Sequence, residues 1–217
     1  MVRGMYMRKN LSVVIVLLLL ALLAACTGAA CSGDAYAENG LKLYSGGNPT
    51  EAIELLNKAL EEGTGKFSRS DLYNALGNCY LVLDSYDEAI NSYKKALEED
   101  GDSVLSWVNL GVAYRQSGDL DEAEECYLKA LEIDPEYPEL HSSLGTLYLA
   151  KNDPEKAIIS FERATELDPG LAVAYGNAAL AYAMTGDFDK ADELLNRSEE
   201  LGYKNAQEMR DRIGMLR

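Results

Sequence analysis

The 217-residue chain has one histidine and four cysteines, and those small numbers exclude several kinds of chemistry. A lone His141 cannot supply the paired imidazoles of a helical zinc protease, and nothing around it supports a nucleophile–histidine–acid triad. Cys26 and Cys31 are not a CxxC pair, while Cys79 and Cys126 stand alone. The sequence therefore offers neither a zinc site nor a disulfide framework. No catalytic set, metal ligand set or cofactor motif is expected, and the chain reads as a non-enzyme. Basic residues are scarce too: 20 Lys and Arg stand against 36 Asp and Glu, a formal net charge of −16. Such a surface is soluble and self-repelling, and it disfavours nucleic acid. Long apolar runs are also missing. The longest, Val13 to Ala25, has 13 residues, short of the ~20 needed for a comfortable helical span.

What is present begins with the leader. Arg3, Arg8 and Lys9 form a basic start, Leu11 to Leu23 an apolar middle, and Ala24 and Ala25 a small-residue end, the three parts of an export signal. Met1, Met5 and Met7 are all possible starts. Leu23-Ala24-Ala25-Cys26 resembles the bacterial lipoprotein box. The resemblance implies cleavage before Cys26 and lipidation of its thiol; two or three acyl chains anchor stably where one does not. Gly28-Ala29-Ala30-Cys31 fits worse, with Gly in the apolar position. An uncleaved anchor helix, or a plain secretory signal with Cys26 incidental, are the alternative readings. Residues 26–35 are expected to be a short tether, spanning roughly 33 Å at ~3.3 Å per residue.

The remainder is periodic. Ala89, Ala123, Ala157 and Ala191 are spaced by 34 residues, with Ala52 a further 37 before Ala89. Gly77, Gly111 and Gly145 keep the step, with Gly40 before them and Ala179 after. So do Tyr80, Tyr114, Tyr148 and Tyr182, then Tyr93, Tyr127 and Phe161, then Ala96, Ala130 and Ala164. The best copy reads "WVNLGVAY" from Trp107 to Tyr114 and reaches Asp134-Pro135. This pattern resembles the tetratricopeptide repeat. The expected fold is all-α: a right-handed α-solenoid of about five helix-turn-helix repeats (33–69, 70–103, 104–137, 138–171 and 172–205) plus a short C-terminal capping helix over 206–217. The first copy carries three extra residues in its 64–69 loop. Small residues at the Gly and Ala positions allow close helix approach, beside aromatic rings that fill the remaining space. "SGDLDEAEE" (117–125) and "TGDFDKADE" (185–193) mark turns into second helices with acidic first turns. Pro135 and Pro169 end one copy and start the next.

Two loops resemble ligand sites and fail on detail. "GTGKFS" (63–68) has Leu60 and Phe67 where a phosphate loop needs Gly and Ser or Thr. "EEDGDS" (98–103) lacks calcium-loop spacing. His141 falls where neighbouring copies have Tyr73 and Trp107, so a packed, half-buried ring is expected; Cys79 and Cys126 read as small core residues.

The family resemblance places a concave face on the first helix of each copy. Carried across residue by residue, the candidate partner-binding positions are Asn74, Asn78, Leu81, Leu105, Val108, Val112, Arg115, Thr146, Leu149, Leu180 and Met184. Arg115 is the only cation among them, which argues against the Lys- and Arg-rich clamp some relatives use on chaperone tails. The alternative is that these side chains only pack against one another. The expected function is a lipid-anchored protein-interaction scaffold of the bacterial cell envelope that holds a partner peptide or protein, itself an envelope protein, in the concave groove. It would face the periplasm or the cell exterior, with the outer membrane favoured in a two-membrane host because Thr27 is not Asp. Pilus-assembly and cell-wall-synthesis factors share that layout, so a non-catalytic assembly factor or complex subunit is the alternative, and a small-solute-binding lipoprotein a more remote one.

Overall fold

In a computed structural model, which describes residues 32–217, the chain forms helices joined by short turns. The leader, Cys26 and Cys31 lie outside the described residues. Ten helices pair as A and B partners. The A helices are α1 (Ser32–Ser45), α3 (Arg69–Val82), α5 (Val104–Ser117), α7 (Pro138–Ala150) and α9 (Ala172–Met184); the B helices are α2 (Pro49–Glu62), α4 (Tyr86–Glu99), α6 (Leu120–Ile133), α8 (Pro154–Leu167) and α10 (Phe188–Glu200). A last helix, α11 (Ala206–Gly214), packs on α9 and α10. Each A helix packs most extensively on its own B helix, and each B helix on the next A helix. The result is the α-solenoid expected from the repeat.

Local signals set the helix ends. Ser68 and Asp71 form a reciprocal capping box at the start of α3, and Ser103 caps α5 through the Ser106 amide at 3.2 Å. Every A-to-B turn passes through one left-handed residue: Gly47, Asp84, Gly118, Asn152 and Gly186 have φ of 81°, 54°, 97°, 58° and 88°. Asp and Asn tolerate this region better than other side chains, so the turn persists in the two copies that lack the glycine.

Inside each copy, a glycine on helix A makes room for a ring on helix B. A Cβ at Gly77 would lie 2.4 Å from a ring carbon of Tyr93; the same contact is 2.5 Å for Gly111 with Tyr127 and for Gly145 with Phe161. All three rings are fully buried. At the ends of the array the pair changes together. Gly40 faces the smaller Leu56, and in the last copy Ala179 stands where Gly would, with Leu195 in place of the ring. Helix α9 is apolar nearly all round because it is enclosed by α7, α8, α10 and α11.

One expectation needs correction. The tether of 26–35 is too long, because α1 already begins at Ser32. Gly33 sits against the backbone of Gly63 at the end of α2, Ser32 Oγ donates to Glu62 at 2.8 Å, and the Asp34 carboxylate accepts from the Gly65 and Lys66 amides, each at 3.0 Å. The first loop thus spends its consecutive N–H groups on the protein's own carboxylate, and its extra residues secure the start of the first helix. Lys66 pairs with Glu38 across the same junction at 2.6 Å.

His141 is half-buried, as expected from its register. Its Nε2 donates to the Pro135 carbonyl at 2.8 Å, matching the Trp107 Nε1 bond to the Gly101 carbonyl at 2.9 Å one copy earlier. A carbonyl only accepts, so His141 carries its proton on Nε2. Cys79 and Cys126 are free and buried, and burial pushes their thiols up to about 11 and about 12. Neither is an available nucleophile at neutral pH.

Candidate functional site: the inner face of the solenoid

Successive A helices touch one another along the array, whereas among the described residues successive B helices do not. The A helices therefore line the inside of the curve. Acidic residues concentrate on the B helices, as in α6 with Asp121, Glu122, Glu124, Glu125 and Glu132, whereas the A helices α5 and α9 carry none.

The candidate residues divide by exposure. Leu105 is 51% exposed, and Val82 and Val173, also on A helices, are 60% and 38% exposed. Val112, Arg115, Thr146, Leu149, Met184, Leu81 and Asn78 are half-buried. Asn74, Val108 and Leu180 are buried, at 6%, 5% and 6% exposure, and act in the packing between copies. Asn74 Nδ2 donates to Ser106 Oγ at 2.7 Å, so this amide joins the second and third copies. Asn78 Oδ1 accepts from the Tyr93 hydroxyl at 2.7 Å. Thr146 Oγ1 donates to its own helix at the Ser142 carbonyl, 2.9 Å away. Much of the face is thus committed to holding the array together, and Leu105, Val82 and Val173 are its free apolar contacts.

A recess of about 330 Å³ opens between α5, α7 and α9, lined by Arg115, Glu139, Ser143, Thr146, Val173 and Asn177 among others. Arg115 Nε and the Tyr127 hydroxyl are enclosed without hydrogen-bond partners. Burial pushes the Tyr127 hydroxyl up to about 12, against the opposing pull of the nearby Arg115 guanidinium. Register reasoning along the A helices does not single out Tyr127, Ser143, Glu139 or Asn177. The signal for Tyr127 was legible: the position of Asn78, which satisfies Tyr93, is Val112 in the next copy and cannot accept.

A larger groove of about 740 Å³ lies on the outer side, over α4, α5 and α6, lined by Leu97, Trp107, Leu110, Tyr114, Cys126 and Leu128 together with charged rim residues. Several of its polar groups are already engaged. Trp107 holds the Gly101 carbonyl, Lys94 lies 5.5 Å from the Tyr114 ring centroid, and Lys129 pairs with Glu132 at 2.9 Å. Similar clefts recur one copy later around His141 and two copies later around Tyr175. They are the ordinary seams between copies, so volume alone does not make the first a functional site.

Family models described as tetratricopeptide repeats match residues 70–103, 92–125, 138–171 and 172–197, and one described as a TPR repeat matches 111–152. Together they run without a gap over more than half of the chain. The chain belongs to the tetratricopeptide repeat family. Among the solved tetratricopeptide structures it resembles is the thermophilic TPR protein TTC0263 from Thermus thermophilus, with a TM-score of 0.70 at 21% identity, over 85% of this chain and 98% of that one. Another is YrrB, described as a TPR protein with an unusual peptide-binding site, with a TM-score of 0.56 at 25% identity, over 81% and 90% of the two chains. Among curated proteins it is similar to the photosystem I assembly protein Ycf3 of Prochlorococcus marinus subsp. pastoris, at 28% identity over 83 residues, 38% of this chain and 48% of the relative. The chain spans about half the length of the curated relatives it matches. Tetratricopeptide proteins bind protein or peptide partners, and among the described residues no group of three His, Cys, Asp or Glu side chains is placed to hold a metal ion.

Proposed function

We propose that this protein is a lipid-anchored, non-enzymatic interaction scaffold of the bacterial cell envelope, which holds a partner polypeptide against the inner face of the solenoid. The observation that carries the binding half of this reading is the contrast between faces. Val82, Leu105 and Val173 stand exposed on A helices whose only candidate cation is Arg115, in a chain of net charge −16. Exposed apolar side chains along a groove suit an extended or helical segment with apolar anchors. The peptide-binding description of YrrB, at 25% identity, supports the same use of the fold.

The anchoring half rests on Leu23-Ala24-Ala25-Cys26, the short apolar core and the basic start of the leader. A solenoid whose first helix begins at Ser32 would then stand close to its membrane, and its partner would be another envelope protein. Thr27 favours the outer membrane of a two-membrane host. A second reading, a non-catalytic assembly factor for a larger complex, draws support from the similarity to a protein named for photosystem I assembly.

Two experiments test this. Cells expressing the full chain are fed a fatty-acid analogue: label is expected on the native protein and not on Cys26→Ala, and equal label on both removes the anchor. A photo-crosslinking side chain is placed at position 105 on the inner face and at position 128 on the outer. Partner adducts should form at 105 and disappear with Val82→Asp. Adducts at 128 alone would reassign the binding face. Exposed positions serve here because an acidic side chain at buried Val108 would break the packing between copies.

A further inference from the structure

We propose that the outer groove over α4, α5 and α6 is a second docking surface, and that its occupant is a short polypeptide segment in which apolar side chains lie between Lys or Arg residues. This surface is separate from the inner face, so neither reading depends on the other.

The groove exists because α4 and α6 do not touch, and the outer side of α5 shows between them. Trp107, Leu110 and Tyr114 follow one face of α5 at i, i+3 and i+7 and form an apolar floor with Leu97 of α4. Leu128 of α6, 49% exposed, adds a large apolar side chain on the far wall. The rim has the opposite character. Glu122, Glu125 and Glu132 line it from α6 and Glu98 from α4, against the two lysines Lys94 and Lys129. Both lysines are engaged, Lys94 over the Tyr114 ring at 5.5 Å and Lys129 on Glu132 at 2.9 Å. Among the described residues no Lys or Arg forms an ion pair with Glu98, Glu122 or Glu125. Free carboxylates around an apolar floor attract a cationic apolar segment and repel an acidic one.

The neighbouring seams show that this charge does not come with the repeat. One copy later Lys156 and Ile159 stand in place of Glu122 and Glu125, and His141 in place of Trp107. None of the residues lining that cleft is acidic, and its volume is about 320 Å³ against about 740 Å³. Two copies later carboxylates line the cleft again but are paired, Glu200 with Arg197 at 3.0 Å and Glu193 with Lys190 at 2.8 Å. A segment bearing Lys or Arg therefore fits the first seam and is rejected by the second. Glu98 and Glu132 share a register and mark one end of the groove, while Glu122 marks the other. The wall between them runs roughly 15 Å at ~1.5 Å per residue, the length of about five extended residues. That spacing puts one cation of the occupant at Glu98 and another at Glu122 and Glu125, with apolar side chains on the floor between them.

The test uses the full chain in detergent and a bead-displayed library of random octapeptides blocked at both ends. Enriched peptides should carry Lys or Arg on both sides of apolar residues. The double variant Glu122→Lys, Glu125→Ile gives the groove the residues of the next copy at two exposed positions, and should weaken these peptides about tenfold or more. The same change at the matching register of the first copy, Glu51→Lys with Glu54→Ile, also falls on exposed positions and shifts the net charge equally, on a helix that no earlier copy faces. It should weaken them by less than about twofold. Val82→Asp on the inner face should leave them unchanged. Equal weakening by the two double variants means diffuse attraction to an acidic protein and overturns the inference, as does enrichment without Lys or Arg, or none at all. Peptides lost with Val82→Asp but kept by Glu122→Lys, Glu125→Ile belong to the inner face; that result overturns this inference and supports the reading above. A dimer seen by sedimentation that dissociates in Glu122→Lys, Glu125→Ile names a second copy as the occupant and overturns it too.

Discussion

Tyr93 and Tyr127 occupy the same place in successive copies, yet their hydroxyls have opposite circumstances. Tyr93 has Asn78 as acceptor, whereas Tyr127 has none. Removing a hydroxyl that is bonded loses that bond; removing an enclosed, unpaired one relieves a desolvation cost. We expect Tyr93→Phe to lower stability by about 1 kcal/mol and Tyr127→Phe to leave it unchanged or raise it by up to about 1 kcal/mol, measured by chemical denaturation. Equal losses in the two variants would mean that Tyr127 is satisfied in solution. At this scale His141, Cys79 and Cys126 have lost any mechanistic interest. The histidine holds a carbonyl between copies, and burial keeps both thiols protonated.

Between elements, the fold turns on the glycine–ring pairing of helices A and B. Gly111→Ala places a Cβ 2.5 Å from the Tyr127 ring and should cost about 1–3 kcal/mol, despite the better helix propensity of alanine. The last copy shows the accommodating combination, Ala179 with Leu195. Tyr127→Leu in the Gly111→Ala background should therefore cost less than the same change in the native chain, and a double-mutant cycle reads the coupling. A second inter-element device is Lys151 at the end of α7, which reaches Asp121 at 2.7 Å and Glu124 at 2.5 Å at the start of α6. Its hydrogen bonds hold the Asp121 carboxyl below the ordinary carboxylate range; the same donor, helped by Tyr148, holds Glu124 down against partial desolvation. Both carboxylates bond to Lys151, and those bonds raise its ammonium. Groups lowered in the folded state stabilise above their unfolded pKa and lose that contribution as pH falls through the folded value. The raised lysine stabilises below its unfolded pKa and loses its contribution as pH rises through the folded value. The stability difference between native chain and Lys151→Met should be flat between about pH 5 and 9, and shrink below about pH 4 and above about pH 11. A difference independent of pH throughout would assign the loss to the packed lysine stem.

For the whole molecule the dominant long-range force is its own charge. A formal charge of −16 concentrated on the B helices repels itself, and salt screens that repulsion. Raising ionic strength from about 0.01 to about 0.15 M shortens the Debye length from roughly 30 to roughly 8 Å, so the unfolding temperature should rise by a few degrees. A fall would mean that the surface ion pairs, such as Arg69 with Glu99 at 2.8 Å, outweigh the repulsion. The array is closed at its C-terminal end by α11, whose Met209 and Ile213 are 4% and 2% exposed and cover the last B helix.

How much of this was legible in the sequence follows from what is local and what is not. The 34-residue spacing of Ala, Gly and aromatic residues by itself determined the helix pairs, their order and the solenoid, because each of those residues serves a contact made within its own copy or with the next one. The acidic balance likewise needed no structure. The orientation of helix A was legible as a register, yet exposure at each register position was not. Leu180 shares its register with half-buried Asn78, Val112 and Thr146 but is itself buried by the side chains around it, whereas the register of Val108 is buried in neighbouring copies as well, at Asn74 and Ser142. The start of α1 at Ser32 depended on the 64–69 loop folding back onto Asp34, a contact between segments some thirty residues apart. That Val112 offers Tyr127 no counterpart of Asn78 was legible in the register; the enclosure of its hydroxyl beside Arg115 was decided only by the tertiary structure, since burial belongs to the assembled neighbourhood and not to any single repeat.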